Sequence, residues 1–301
     1  MKRVVSISLG ASERNGQAFH RFGGYDFTIE RIGTDGNQDK AIELIHSLDG
    51  TVDAFGLGGT DLYIYAGKRR FMFRESARIA RAAKLTPLVD GSGVKNTLER
   101  RVVDYLAKTL GIDFSSKKTL LVCAVDRFGL ADALMRSGSK VVFGDLMFGL
   151  GIPVPLYSLD RLSQLASVIA PVITQLPIKW FYPTGAAQTK CSPKFSKYFH
   201  EADIIAGDFH FIRRYAPREL HGKMVVTNTV TKEDEIMLKE RGVHMLVTTT
   251  PEIGGRSFGT NILEGMLISL IQGAINPIPS KEYEDLLDQY GVEPRVKRLA
   301  N

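Results

Sequence analysis

Asp90-Gly91-Ser92-Gly93-Val94 is the stretch whose residue types and spacing could do chemistry. It follows a short apolar run, Thr86-Pro87-Leu88-Val89. It precedes a segment in which Leu98, Val102, Tyr105 and Leu106 recur at helical spacing up to Gly111, a natural helix end. A strand end that turns directly into a helix offers free backbone N–H groups and the positive end of a helix dipole. An aspartate there can accept several hydrogen bonds and stay ionised, which suits a general base or an anchor for a substrate hydroxyl. The same spacing also describes a tight turn in which Asp90 caps the helix, and locally the cap has the advantage.

Thr119–Asp145 is the second such stretch. An apolar run, Thr119-Leu120-Leu121-Val122, meets a turn at Asp126-Arg127-Phe128-Gly129. A helical segment with Leu130, Ala133 and Leu134 on one face follows, and a second apolar run, Val141-Val142-Phe143, ends at Asp145. This is the β-α-β opening of a nucleotide-binding half-sheet. Asp145 stands near the roughly 20-residue spacing at which an acidic group binds a ribose 2′-hydroxyl. A carboxylate there repels a 2′-phosphate, so the expected cofactor is NAD rather than NADP; the competing reading of Asp145 is a helix or turn cap.

The order strand, Asp-Gly-x-Gly, long helix, basic pair and nucleotide-binding strand resembles the shikimate/quinate 5-dehydrogenase family. Asp90-Gly91-Ser92-Gly93 matches the core of that family's Asn-Thr-Asp-Gly-x-Gly-Phe motif, with Leu88-Val89 in place of Asn-Thr and Val94 in place of Phe. Lys117–Val122 matches its Gly-Lys-x-Val-Leu-Val strand. Gly265-Met266-Leu267 with Gln272-Gly273-Ala274 resembles its Gly-x-x-Met-Leu-x-x-Gln helix, the glutamine standing two positions late. The resemblance covers roughly residues 86–275. It implies hydride transfer between a nicotinamide cofactor and a hydroxylated cyclic acid, Asp90 being catalytic and Thr60, Asp61 and Gln272 holding substrate hydroxyls. Two departures stand out. The family's Gly-Ala-Gly-Gly-Ala turn is replaced by Ala124–Ala131, in which Asp126 and Phe128 crowd a pyrophosphate, Arg127 offers it a fork of donors and only Gly129 keeps a glycine. The family's upstream lysine is also missing, which leaves Lys68 and Lys95 as candidates to exchange a proton if the pKa is lowered.

These residues need elements to position them, and the rest of the chain supplies them. Strands are expected at Arg3–Leu9, Tyr25–Ile32 and Val52–Gly59, with a hairpin at Leu62–Phe73 and helices over 41–48 and 74–81. Arg74, Arg78 and Arg81 share one side of the second helix, read as a solvated basic face. After residue 118, strands at 179–182, 202–207, 224–228 and 244–248 alternate with helices at 159–174, 233–241, 259–273 and 283–290. The expectation is an α/β protein of two domains: an N-terminal α/β substrate domain over 1–114, and a Rossmann-like, doubly wound, mainly parallel sheet over 115–275. A C-terminal helical segment, 276–301, packs back on the first. Gly254–Asn261, with Arg256, is a glycine-rich loop ahead of a helix that suits an anion or a plain connection.

The 301 residues carry a net charge of +6 that is spread along the chain, without the aromatic-interleaved basic motif of a nucleic-acid binder. Cys123 falls in the apolar strand and Cys191 in a polar loop, so neither a disulfide framework nor a cysteine-ligated metal is expected. The six histidines show no helical metal-site spacing. The expected protein is cytoplasmic, with a small-molecule substrate, no nucleic acid and no membrane as partners, and a homodimer left open. A non-catalytic nucleotide- or small-acid-binding sensor on the same fold is the alternative, and the glycine-poor turn and missing lysine favour it.

Overall fold

The alternation at the start of the chain becomes β1 (Lys2–Ser8), at the centre of the first sheet of the computed structural model. The structure describes residues 1–66, 69–177, 191–253, 256–257, 259–271 and 279–299. Lys68, Gln272, the strand expected at 179–182 and Gly254, Gly255 and Phe258 of the glycine-rich loop lie outside them. Val5 and Ile7 of β1 face one core and Val4 the other, all three at most 1% exposed, so the strand is covered on both faces. The chain continues through β2 (Gly16–Phe22), β3 (Tyr25–Gly33), α1 (Gln38–Leu48), β4 (Ala54–Gly58), the hairpin β5 (Tyr63–Ala66) and β6 (Arg69–Met72), α2 (Arg74–Ala80) and β7 (Leu88–Val89). The sheet order is β2-β3-β1-β4-β7, parallel except for β2. β2 has no counterpart among the strands expected from the sequence: it is an outer strand of this order that leaves most of its side chains wet, Phe19 at 73% exposure, so no clean apolar alternation marks it.

α3 (Ser92–Leu110) joins the first sheet to the second and ends, as expected, on Gly111 at φ 65°. The second sheet begins with β8 (Lys118–Leu121), α4 (Phe128–Arg136), β9 (Lys140–Phe143) and α5 (Leu159–Ile173). It goes on through α6 (Ser196–Glu201), β10 (Ile204–Ala206), α7 (Phe209–Tyr215), β11 (Met224–Thr227), α8 (Lys232–Glu240) and β12 (Met245–Thr248). A two-stranded pair, β13 (Glu252–Ile253) and β14 (Arg256–Ser257), precedes α9 (Thr260–Leu270), α10 (Ser280–Gln289) and β15 (Arg295–Arg298). Among the described residues the order is β15-β12-β11-β10-β8-β9, parallel but for β15. The protein is therefore α/β, with mixed and mostly parallel sheets.

Three features differ from the sequence reading. Cys123 lies past the end of β8 rather than inside it. The last residues form a strand of charged side chains, which sequence pattern does not signal; Arg295 and Lys297 both donate to Glu235 of α8, at 2.6 and 2.5 Å. α9 and α10 cover the first sheet through Ile262, Leu263, Met266, Tyr283 and Leu287, while β15 belongs to the second. No helix among the described residues is long and apolar enough to cross a membrane.

Candidate functional site

The β7–α3 turn explains where Asp90 goes. Gly91 caps α3 in the left-handed region at φ 90°, and a Cβ on it would lie 2.5 Å from the Asn261 nitrogen of α9. Asp90, 7% exposed, then spends its carboxylate on backbone and turn. Oδ1 accepts from Ser92 N (3.0 Å) and Ser92 Oγ (2.7 Å), and Oδ2 from Leu62 N (2.5 Å) and Tyr63 N (3.3 Å). Its position is that of a tie between the hairpin and the start of α3. Behind the turn lies Glu264, 3% exposed, which accepts a hydrogen bond from the Tyr283 hydroxyl. Burial, with the charge of Asp90 adding to it, pushes the Glu264 carboxyl up to about 8, so it carries a proton at neutral pH.

One helical turn further on, Lys95 enters a buried ionic cluster. Its Nζ donates to Asp126 Oδ1 at 2.5 Å and lies 3.9 Å from Asp61 Oδ1. Burial opposes the charge on Lys95, but these two carboxylates outweigh it and raise the pKa. The ammonium is thus a fixed donor, which corrects the expectation of a lysine made basic at neutral pH. Glu99, four residues along the same face, accepts from Arg127 Nη1 at 3.0 Å and from Leu130 N at 3.2 Å. Arg127, 4% exposed, also donates through Nη2 to Asp208 Oδ2 at 2.8 Å. Burial works against ionisation of Asp208, yet Arg127 holds its carboxyl down at about 2. Burial likewise pushes Glu99 up, against the pull of Arg127.

Tyr63, Ile64, Ser92, Lys95, Asn96, Glu99, Val125, Asp126 and Phe128 line a cleft that opens into solvent. Its enclosed part has room for about one water. The cleft lies where the strand order of the second sheet reverses, since β8 is flanked by β9 on one side and β10 on the other. Ligands of open α/β sheets bind outside the carboxyl ends of the strands at such a switch point.

The turn after β8 does not fit a dinucleotide pyrophosphate. Asp145 Oδ1 accepts from Ala124 N (2.9 Å) and Val125 N (2.8 Å), so a carboxylate of the chain already holds the amides that a phosphate needs. Among the described residues Asp145 Oδ2 is buried without a hydrogen-bond partner, and burial pushes the carboxyl up to about 6 against the two amides. Gly129 serves helix packing: a Cβ there would meet the Asn96 carbonyl oxygen of α3 at 2.6 Å. Burial, and then Asp145 and Asp126, push the Cys123 thiol well up, which favours its protonated form. Among the described residues no three or more His, Cys, Asp or Glu are placed to hold a metal ion.

Residues 93–299 match the family described as Domain of unknown function (DUF8754), and residues 3–90 match that described as Domain of unknown function (DUF8753). The chain belongs to the DUF8754 family. No curated protein matches it. Solved structures similar to this DUF8754 chain include an NAD-dependent malic enzyme from Thermotoga maritima, at 12% identity and TM-score 0.36 over 97% of this chain and 85% of that one. A hetero-hexameric glutamate dehydrogenase from Thermus thermophilus gives 13% and 0.40 over 96% and 69%. The substrate-binding protein of a sugar ABC transport system from Bordetella parapertussis gives 10% and 0.35 over 94% and 93%.

Of the residues singled out in the sequence, Asp61, Lys95, Asp126, Arg127 and Phe128 come together at the cleft, with Asp90 one turn away through Ser92. Thr60 is buried and shares a hydrogen bond of 2.9 Å with Ser76 of α2. Asp145 and Gly129 sit beside the cleft in the supporting roles just described. Glu99, Asp208, Glu264 and Tyr283 were missed. Glu99 had a signal, its i+4 relation to Lys95, and Asp208 had one in following a strand and a glycine; Glu264 and Tyr283 had none, because only the fold brings them to Gly93.

Proposed function

We propose that this DUF8754 protein binds a small hydroxylated molecule in the cleft between two domains, residues 1–114 and 115–275, with α10 returning to the first and β15 closing the second. The observation that carries the reading is Lys95, a buried ammonium fixed between Asp126 and Asp61 on the floor of a cleft lined by Ser92, Asn96 and Tyr63. A hydroxyl can accept from the ammonium while donating to a carboxylate, so neighbouring hydroxyls of a ring or sugar suit this alternation of charge. Nothing in the reading asks Lys95 or Asp90 to move a proton: the one is held charged, the other is committed to the turn.

A second reading, an NAD-dependent oxidoreductase acting on a shikimate- or quinate-like acid, is favoured by the same lysine–aspartate pair standing at the switch point. Asp145 on the turn amides and Arg127 in its ion pairs weigh against it. Titration calorimetry and thermal melts with quinate, shikimate, NAD and NADP separate the two. The binding reading expects heat and stabilisation from a hydroxylated acid and none from either dinucleotide, and expects Lys95→Met to lose the ligand while still melting cooperatively. NAD binding with turnover of quinate or shikimate would establish the oxidoreductase instead. No response to any hydroxylated probe would remove both.

A further inference from the structure

The hairpin carries two exposed arginines that the ionic cluster does not use, Arg69 and Arg70, and Arg70 is the one that stacks on a cleft residue. Tyr65 and Arg70 face each other across β5 and β6, which makes Tyr63, two residues back, the diagonal same-face neighbour of Arg70. The guanidinium carbon of Arg70 lies 4.0 Å from the centroid of the Tyr63 ring, within cation–π range. Tyr63 links two places: it lines the cleft, and it supports Arg70, which is exposed. Among the described residues Arg70 has no carboxylate partner. The arginines on the helices around the cleft are engaged, Arg127 with Glu99 and Asp208, and Arg100 with Asp132.

The interior has the opposite character. Among the described residues, Asp61, Glu99, Asp126 and Asp208 surround Lys95 and Arg127, four carboxylates against two cations. An anionic group pushed to that floor meets excess negative charge in a poorly hydrated site, where repulsion is strong. A hydroxylated acid therefore enters with its hydroxyls inward and its carboxylate outward. Stacking on a ring fixes the plane of a guanidinium and leaves its N–H edges free, the arrangement that grips a carboxylate with two parallel hydrogen bonds. We propose that Arg70, stacked on the cleft-lining Tyr63, is the group that recognises the ligand's carboxylate and so selects hydroxylated acids over neutral sugars. This inference rests on the cleft-binding reading above.

The probes are quinate and its methyl ester, the same ring with and without the negative charge, titrated into the wild-type protein, Arg70→Gln and Lys95→Met. Arg70 is exposed, so its replacement leaves the fold intact. The wild type should bind quinate roughly tenfold more tightly than the ester, the lower end for hydrogen bonds between charged groups. Arg70→Gln should bring quinate to the affinity of the ester and leave the ester unchanged, whereas Lys95→Met should lose both. Equal affinities for the two probes in the wild type, or quinate bound by Arg70→Gln as by the wild type, would overturn the role of Arg70 while leaving the cleft reading in place. Failure of both probes to bind the wild type would overturn the cleft reading and the inference with it.

Discussion

Replacing Arg127 by methionine tests whether the ionic cluster holds the two sheets together. The substitution keeps much of the apolar stem and removes the guanidinium. Glu99, 1% exposed, then loses its closest cation and keeps the Leu130 amide, while Asp208 retains the His210 amide and the Asn228 side chain. Breaking a buried pair by removing one partner costs about 3–5 kcal/mol, because a charge is left behind without compensation. Arg101 and Asp288 form a useful contrast: at 2.6 Å their pair is shorter, yet the side chains are 29% and 69% exposed, and such surface pairs contribute at most about 1 kcal/mol. Urea unfolding should therefore separate Arg127→Met from Arg101→Met by about 2 kcal/mol or more. The loss should also depend on pH. Without Arg127 the folded-state pKa of Glu99, already raised by burial, rises further above its unfolded value. The folded state then binds the proton more tightly, so stability is retained at acid pH and lost as pH rises through the folded pKa. Double replacement with Glu99→Gln should recover part of the loss. Equal unfolding midpoints for the two arginine variants, or a loss that does not grow with pH, would refute the argument.

Two further outcomes follow from the same geometry. Gly129→Ala should destabilise by about 1–3 kcal/mol in a thermal melt, because its Cβ meets a backbone oxygen of α3 and not a flexible side chain; an unchanged melt would mean that Gly129 is not there for packing. Glu264→Gln should flatten the pH dependence of stability. The folded-state pKa of Glu264, about 8, lies above its unfolded value, so the wild type loses stability as pH climbs towards 8, and a variant with the same slope as the wild type would show that another group is responsible.

How much could be read beforehand follows from burial. β1, β4 and β8 are apolar runs because both faces are covered, and the glycine at 111 ends α3 for a reason visible in the residue itself. β2 and β15 escaped because outer strands need no apolar alternation; β15 is held by Glu235 from another element, and sequence spacing carries no trace of that. α6 and α7, six and seven residues long, are too short to show a helical period. Asp145 is the instructive case. A carboxylate ending the second strand is required alike for holding a ribose and for holding the amides of the adjacent turn. Only the fold decides between them, by placing its oxygen 2.9 and 2.8 Å from Ala124 N and Val125 N.

That contact accounts for the rest of the turn. Amides at a strand end need an acceptor, and where a phosphate is to supply it, glycines must let the protein backbone approach the phosphate closely. Here the acceptor belongs to the chain, so Asp126 and Phe128 crowd nothing. Arg127 is free to turn inward, where it joins Glu99 of α3 to Asp208 at the end of β10. α3 is thereby fixed at both ends: Val94 and Leu98 lie in the core under the first sheet, Val102 and Leu106 in the core of the second. A ligand larger than water has to widen the cleft, and α3 cannot yield without unpairing buried charge. The opposite wall is the hairpin β5–β6, which meets α5 through a small cluster centred on Ile64, Phe73 and Ala170. Its apolar contacts there are few, and the hydrogen bonds from Leu62 N and Tyr63 N to Asp90 are what tie it to α3. The same hairpin carries Tyr63 and Arg70, so the charge recognition proposed for Arg70 would act from the wall that Asp90 holds against α3.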